Sequence, residues 1–142
     1  MPEHPEPQWQ SSSKVFLVGT MIDGMLDGAR EQYATLQEAR PTPHVLDDYT
    51  VARVVEVYTQ QRDDLWLWDE QLTRWGAEDL TPLRQREVER LQGQMVALRT
   101  VVDDILALAA ELGVGTIERV LAKDDVQMGL ETLLRMFDKQ ES

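Results

Sequence analysis

The stretch from Thr81 to Gly113 decides the fold, and it reads TPLRQREVERLQGQMVALRTVVDDILALAAELG. Thr followed by Pro favours the start of a helix, because the Thr side chain caps free N–H groups and proline fits the first helical position. After this start, apolar residues recur every three or four positions, which keeps one stripe facing a partner helix. The stripe consists of Val88, Leu91, Met95, Leu98, Val102, Ile105, Ala109 and Leu112. Because glycine commonly follows the end of a helix, the pattern predicts a helix over residues 82–112.

Two further segments with helical periodicity precede this one. The first covers about residues 13–39 and ends before Pro41 and Pro43, which cannot continue a helix. The second covers about residues 48–75, and Gly76 follows its end. Its candidate N-caps are Asp47 and Asp48. Because the connecting loops are short, consecutive helices are expected to be antiparallel. We therefore predict an all-α, up-down-up bundle of three long antiparallel helices.

The two ends of the chain carry weaker patterns. Residues 1–12 are rich in Pro and Ser, which predicts a disordered tail in which Trp9 alone has the means to dock on the body. Apolar residues after Gly115 predict a short C-terminal helical hairpin, with helices at about residues 117–122 and 125–138. Nothing between residues 13 and 142 indicates a domain boundary, so the bundle is expected to be a single domain.

Composition excludes several classes of function. The 142 residues include 26 acidic and 14 basic side chains, a formal net charge of −12, which argues against binding to nucleic acids or to anionic membranes. Cysteine is absent, which excludes disulfides, thiolate zinc sites and cysteine nucleophiles. No membrane-spanning or secretory segment is evident, so a cytoplasmic protein is expected. The absence of Asn and the scarcity of Lys indicate a GC-rich, bacterial genome.

The sequence contains few candidate catalytic residues. Its serines lie near the two ends, and its histidines are His4 and His44, each beside proline, so a Ser-His-Asp arrangement is not expected. An arginine cluster lies near the start of the third helix, and its acidic neighbours are expected to neutralise it. Alternatively, the cluster binds a small anion or an acidic partner. The cluster consists of Arg84, Arg86 and Arg90. We therefore assign no catalytic, cofactor-binding or metal-binding residue.

The abundant carboxylates leave one enzymatic alternative open. Asp23, Asp27 and Glu31 are spaced by four residues and share a face of the first helix. Asp pairs at residues 63–64 and 103–104 lie on the other two helices. Facing carboxylates in a bundle can hold a divalent metal that grips a phosphorylated substrate. The alternative hypothesis is thus a metal-dependent hydrolase of a phosphorylated small molecule, although most of these acids are expected to be solvated.

Tryptophan and glycine provide the remaining signals. The turn from Leu65 to Trp68 is apolar on every side of its helix, so either the C-terminal hairpin or a second copy of the chain is expected to cover it. Three glycines, at positions 19, 24 and 28, lie inside the first helix although each costs about 1 kcal/mol relative to alanine. They favour close packing, either within the bundle or across a symmetric contact.

These patterns favour a non-enzymatic helical bundle that acts through protein contacts, most simply as a homodimer or with another protein as partner. The expected interface comprises Trp66, Trp68 and the glycine face of the first helix.

Overall fold

The chain folds into three long α-helices in a computed structural model that describes residues 7–42 and 46–122, with side chains up to residue 113. A short 3₁₀ turn, Ser12–Lys14, leads into α1, Val15–Ala39. The second helix, α2, covers Asp48–Gly76, and the third, α3, covers Pro82–Ala122. Within the described ranges there is no β-strand. The prediction of an all-α helical bundle is confirmed.

The predicted start signals of α2 and α3 act as expected. The side chain of Asp47 accepts the backbone N–H of Thr50 at 2.7 Å, which makes Asp47 rather than Asp48 the N-cap of α2. The hydroxyl of Thr81 accepts the backbone N–H of Arg84 at 3.3 Å, and α3 begins at Pro82. Short-range capping therefore fixes where both helices begin.

The end of α3 differs from the prediction. We expected the helix to stop at Gly113 and a separate helix to form over residues 117–122, but α3 continues without a break through both to Ala122. Among the described residues, no glycine adopts a positive φ, so Gly113 does not form a left-handed cap. An interior glycine costs only about 1 kcal/mol, which a packed helix can absorb. The predicted helix at 125–138 lies outside the described residues.

Helix α3 is the centre of the core. It packs against both α1 and α2, whereas α1 and α2 approach each other less closely. All eight residues of its apolar stripe are buried, as the periodicity predicted. Between α1 and α3, Asp23 contacts Arg90, and Arg40, which directly follows α1, contacts Glu111. Between α2 and α3, Asp69 pairs with Arg99 and Val51 lies beside Gly113.

No helix in the described part of the chain combines the length and the apolar character that crossing a membrane requires.

Candidate interaction surface on the first helix

The outward side of α1 exposes three large apolar side chains near its N-terminus. Phe16 is 46% exposed, Leu17 57% and Met21 48%, although the opposite side of the same helix is buried in the core. Single exposed apolar residues are common, but Leu17 and Met21 are four residues apart and therefore lie next to each other on one side of the helix. We call the strip formed by Leu17, Met21, Gly24 and Gly28 the outer face of α1.

The outer face carries two large side chains in its N-terminal half and two glycines in its C-terminal half. Its four members follow each other at intervals of four, three and four residues, so they lie on one side of α1. Among the residues that the structure describes, a methyl group added at Gly24 or Gly28 would meet no atom within 4 Å. The described part of the bundle therefore gives no support to the interpretation that these two glycines serve internal packing. Leu17 and Met21 project beside two positions where the helix backbone is uncovered.

Gly19 behaves differently, because it does pack inside the bundle. A β-carbon at this position would collide with the carboxylate of Glu87 and would touch Leu91 at 3.5 Å. The Glu87 side chain is itself held by Arg90, whose guanidinium donates to both carboxylate oxygens at 2.9 Å. The internal packing interpretation therefore holds at one of the three glycines of α1.

Charged residues lie just beyond the two ends of the outer face. Lys14 precedes Leu17 by three residues and Glu31 follows Gly28 by three residues, and both are exposed. Neither has an ion-pair partner among the residues that the structure describes. The face is thus bounded by a cation at one end and an anion at the other.

The tryptophan-rich turn of α2 is less exposed than its composition indicates. Leu65 and Trp75 are buried, and Trp68 is half-buried against the core. Trp66 is 37% exposed and lies one turn before Asp69, which reaches α3 through Arg99. Trp66 therefore lies on the α3 side of α2, away from the outer face of α1, and the two do not form one continuous surface.

The N-terminal segment covers part of α2, whereas the sequence pattern named the C-terminal hairpin or a second copy as the cover. The backbone N–H of Gln10 donates to Oε1 of Gln71 at 2.7 Å, and the indole N–H of Trp75 donates to the carbonyl oxygen of Gln10 at 2.9 Å. The Arg74 guanidinium lies 4.4 Å from the centre of the Trp9 ring, a cation–π contact. Residues 1–6 of the predicted disordered tail lie outside the described residues. Trp9 was the sequence signal for this docking.

Where the structure describes their side chains, the carboxylates of the three helices do not converge on a metal site. Asp23 accepts hydrogen bonds from Arg90 at 2.9 and 3.0 Å and from Gln94 at 3.0 Å, and these bonds hold the pKa of its carboxyl below the ordinary value. Asp64 accepts from the neutral side chain of Gln60, and Asp27 is exposed. Over the described ranges, no group of three His, Cys, Asp or Glu side chains is placed to hold a metal ion.

Two of the three clustered arginines, Arg84 and Arg90, make contacts within the fold. Arg90 bridges Glu87 and Asp23, and these hydrogen bonds raise its pKa further above the ordinary value. Arg84 donates to the hydroxyl of Ser12 at 3.4 Å, which links α3 to the 3₁₀ turn. Neutralisation within the fold therefore accounts for Arg90, as the acidic neighbours predicted. His4 and His44 lie outside the described residues.

A comparison of the chain with protein-family models, with curated proteins and with solved structures finds no match.

Proposed function

We propose that this protein is a non-enzymatic helical bundle that acts through protein contacts as a homodimer, with the outer face of α1 as its interface. One observation carries the proposal. Leu17 and Met21 are exposed on the same side of α1 as Gly24 and Gly28, above which the structure leaves open space. An α-helix with an apolar core side and a second apolar strip facing solvent is typical of an interface.

The energetics favour covering this strip. Burial of apolar surface contributes roughly 25 cal/mol per Å², and the exposed parts of Leu17 and Met21 are available for it. Glycine at the contact lets two helix backbones approach closely, which adds van der Waals contacts along both helices. These gains offset the helix propensity that Gly24 and Gly28 cost inside α1.

The up-down-up arrangement belongs to the same proposal. Two contacts support a parallel course for α1 and α3. Asp23 meets Arg90, and Arg40, just after the end of α1, meets Glu111 farther along α3. Two other contacts support an antiparallel course for α2 and α3. Asp69, late in α2, meets Arg99, whereas Val51, early in α2, lies beside Gly113, which is later in α3. In this arrangement α1 has only one side in the core, and its outer face remains available to a partner.

The proposal retains the expectation of a cytoplasmic protein. It also retains the expectation that neither nucleic acid nor membrane is a partner, which the net charge of −12 supports. The hydrolase hypothesis gains no support from the geometry of the described carboxylates.

Sedimentation across a concentration series tests the proposal. The wild-type chain is expected to shift from monomer to dimer in the micromolar range, and Met21→Glu is expected to remain monomeric. Val96→Glu is the matched control, because Val96 is an exposed apolar residue on α3, outside the proposed interface. A wild-type chain that stays monomeric at high micromolar concentration overturns the proposal, as does a Met21→Glu variant that associates as strongly as the control.

A further inference from the structure

We propose that the two copies cross with their α1 helices antiparallel, about a twofold axis that passes between residues 22 and 23. This inference rests on the homodimer proposed above and specifies its register. In it, Met21 packs on Gly24 of the second copy, Leu17 packs on the second copy's Gly28, and Lys14 faces the second copy's Glu31.

The shape of the outer face carries the register. A twofold contact is isologous, so a protrusion at one position must meet a flat site at its symmetric position. Leu17 and Gly28 are equally distant from the midpoint of the face, and so are Met21 and Gly24. Both bulky side chains therefore meet bare backbone, and Gly24 and Gly28 are the positions where the structure leaves open space. A parallel crossing would instead bring Leu17 against Leu17 and Met21 against Met21.

The charges beyond the two ends select the same register independently. Lys14 and Glu31 are also equally distant from the midpoint, are both exposed, and lack an ion-pair partner among the described residues. The antiparallel crossing forms two Lys14–Glu31 pairs, one at each end of the contact. A parallel crossing places Lys14 near Lys14 and Glu31 near Glu31, which is repulsive.

The size of the contact sets the expected affinity. The span from Lys14 to Glu31 is about 26 Å of helix, so the interface is a single pair of short helical segments. Such an interface is at the small end of specific protein contacts, where association is weak and reversible. The dimer is therefore expected to form in the micromolar range.

Cysteine cross-linking tests the register directly, because the wild-type chain contains no cysteine. In the antiparallel crossing, a Leu17→Cys protomer mixed with a Gly28→Cys protomer is expected to form a disulfide, which requires α-carbons within about 7 Å. Leu17→Cys alone is expected not to cross-link, because the two copies of residue 17 lie about 16 Å apart along the helix axis. Lys14→Cys with Glu31→Cys repeats the test outside the apolar strip, with a short bifunctional reagent.

Charge reversal provides the second measurement. Lys14→Glu or Glu31→Lys alone is expected to weaken association about fivefold, because each affects two symmetric pairs, and the double variant is expected to restore it. A chain that never dimerises overturns the proposed function together with the register. A dimer in which Leu17→Cys links to itself, or in which the double reversal fails to restore association, leaves the homodimer intact and overturns the antiparallel register.

Discussion

The carboxylate of Glu87 on α3 lies directly above the α-carbon of Gly19 on α1, in the space that a β-carbon would fill. Gly19→Ala must therefore displace a side chain that Arg90 holds through two hydrogen bonds. Gly93→Ala is the matched control, since a methyl group there meets nothing within 4 Å. The control is expected to raise the free energy of unfolding by about 0.5–1 kcal/mol, and Gly19→Ala is expected to show no gain or a loss. Urea denaturation at low protein concentration measures both. An equal gain in the two variants would contradict the contact.

The outer-face glycines are expected to separate folding from association. Gly24→Ala should raise the free energy of unfolding of the monomer by about 0.5–1 kcal/mol, because it gains helix propensity in open space. The same methyl group should weaken dimerisation severalfold, because it fills the site that Met21 of the second copy is expected to occupy. Denaturation at low concentration and sedimentation at high concentration report the two effects. Gly93→Ala is again the control and should change only the first. If Gly24→Ala leaves dimerisation unchanged, the outer face is not the interface.

Continuity of α3 through Gly113 has a measurable consequence. A β-carbon at Gly113 would touch Cγ1 of Val51 at 3.7 Å, an ordinary van der Waals contact. Gly113→Ala is therefore expected to stabilise the fold by about 0.5–1 kcal/mol. If the helix ended here with a left-handed glycine, the same substitution would be destabilising. The shift of the thermal unfolding midpoint decides between the two, and a decrease would show that Gly113 is a helix cap.

Asp23 is expected to make stability depend on pH. Hydrogen bonds from Arg90 and Gln94 lower the pKa of its carboxyl in the folded chain. The stabilisation is fully present above the unfolded-state pKa of about 3.9 and is lost as the pH falls through the lower folded-state pKa. Asp23→Asn is expected to cost about 0.5–1 kcal/mol at pH 7, a modest value because the pair is partly exposed. Its difference from the wild type should shrink below pH 3. Asp27→Asn, an exposed neighbour one turn later, serves as control in denaturation curves between pH 2.5 and 7.

The docking of the N-terminal segment is expected to depend on Gln71. This residue is buried, and its side-chain oxygen accepts the backbone N–H of Gln10. Gln71→Leu removes the acceptor and is expected to lower the free energy of unfolding by about 1 kcal/mol. It should also shift tryptophan emission to longer wavelength, because the segment no longer covers Trp75. Gln92→Leu, an exposed glutamine on α3, is the control. Unchanged emission and stability in Gln71→Leu would show that the segment is not held in this way.

Local signals in the sequence predicted much of the fold. The Pro residues after α1, the cap at Asp47 and the Thr81–Pro82 pair act on their nearest neighbours, so they specify helix ends without knowledge of the tertiary structure. The apolar stripe of α3 predicted its buried side for the same reason. The prediction that α3 ends at Gly113 is wrong, because glycine occurs both at helix ends and in helix interiors. Packing along α3 decides between the two.

The candidate site was predictable only in part. Glycine in α1 signalled close packing, but whether a given glycine faces the core or solvent depends on how α1 lies against α3. An added β-carbon meets Glu87 at Gly19, whereas at Gly24 and Gly28 it meets nothing within 4 Å in the described part of the chain. The composition around Trp66 and Trp68 indicated an interface, yet Trp68 packs on the core. The spacing of residues in α2 does not reveal that residues 7–11 dock beside it.

The central position of α3 determines when the other helices find their partner. Since α1 and α2 bury their apolar sides against α3 and approach each other less closely, the first two helices have little to fold against while the ribosome is still translating the third. Until that segment leaves the exit tunnel, Ile22, Leu26, Leu65 and Leu72 remain without most of their native cover. We expect cooperative folding of the nascent chain to begin only after most of α3 has been synthesised.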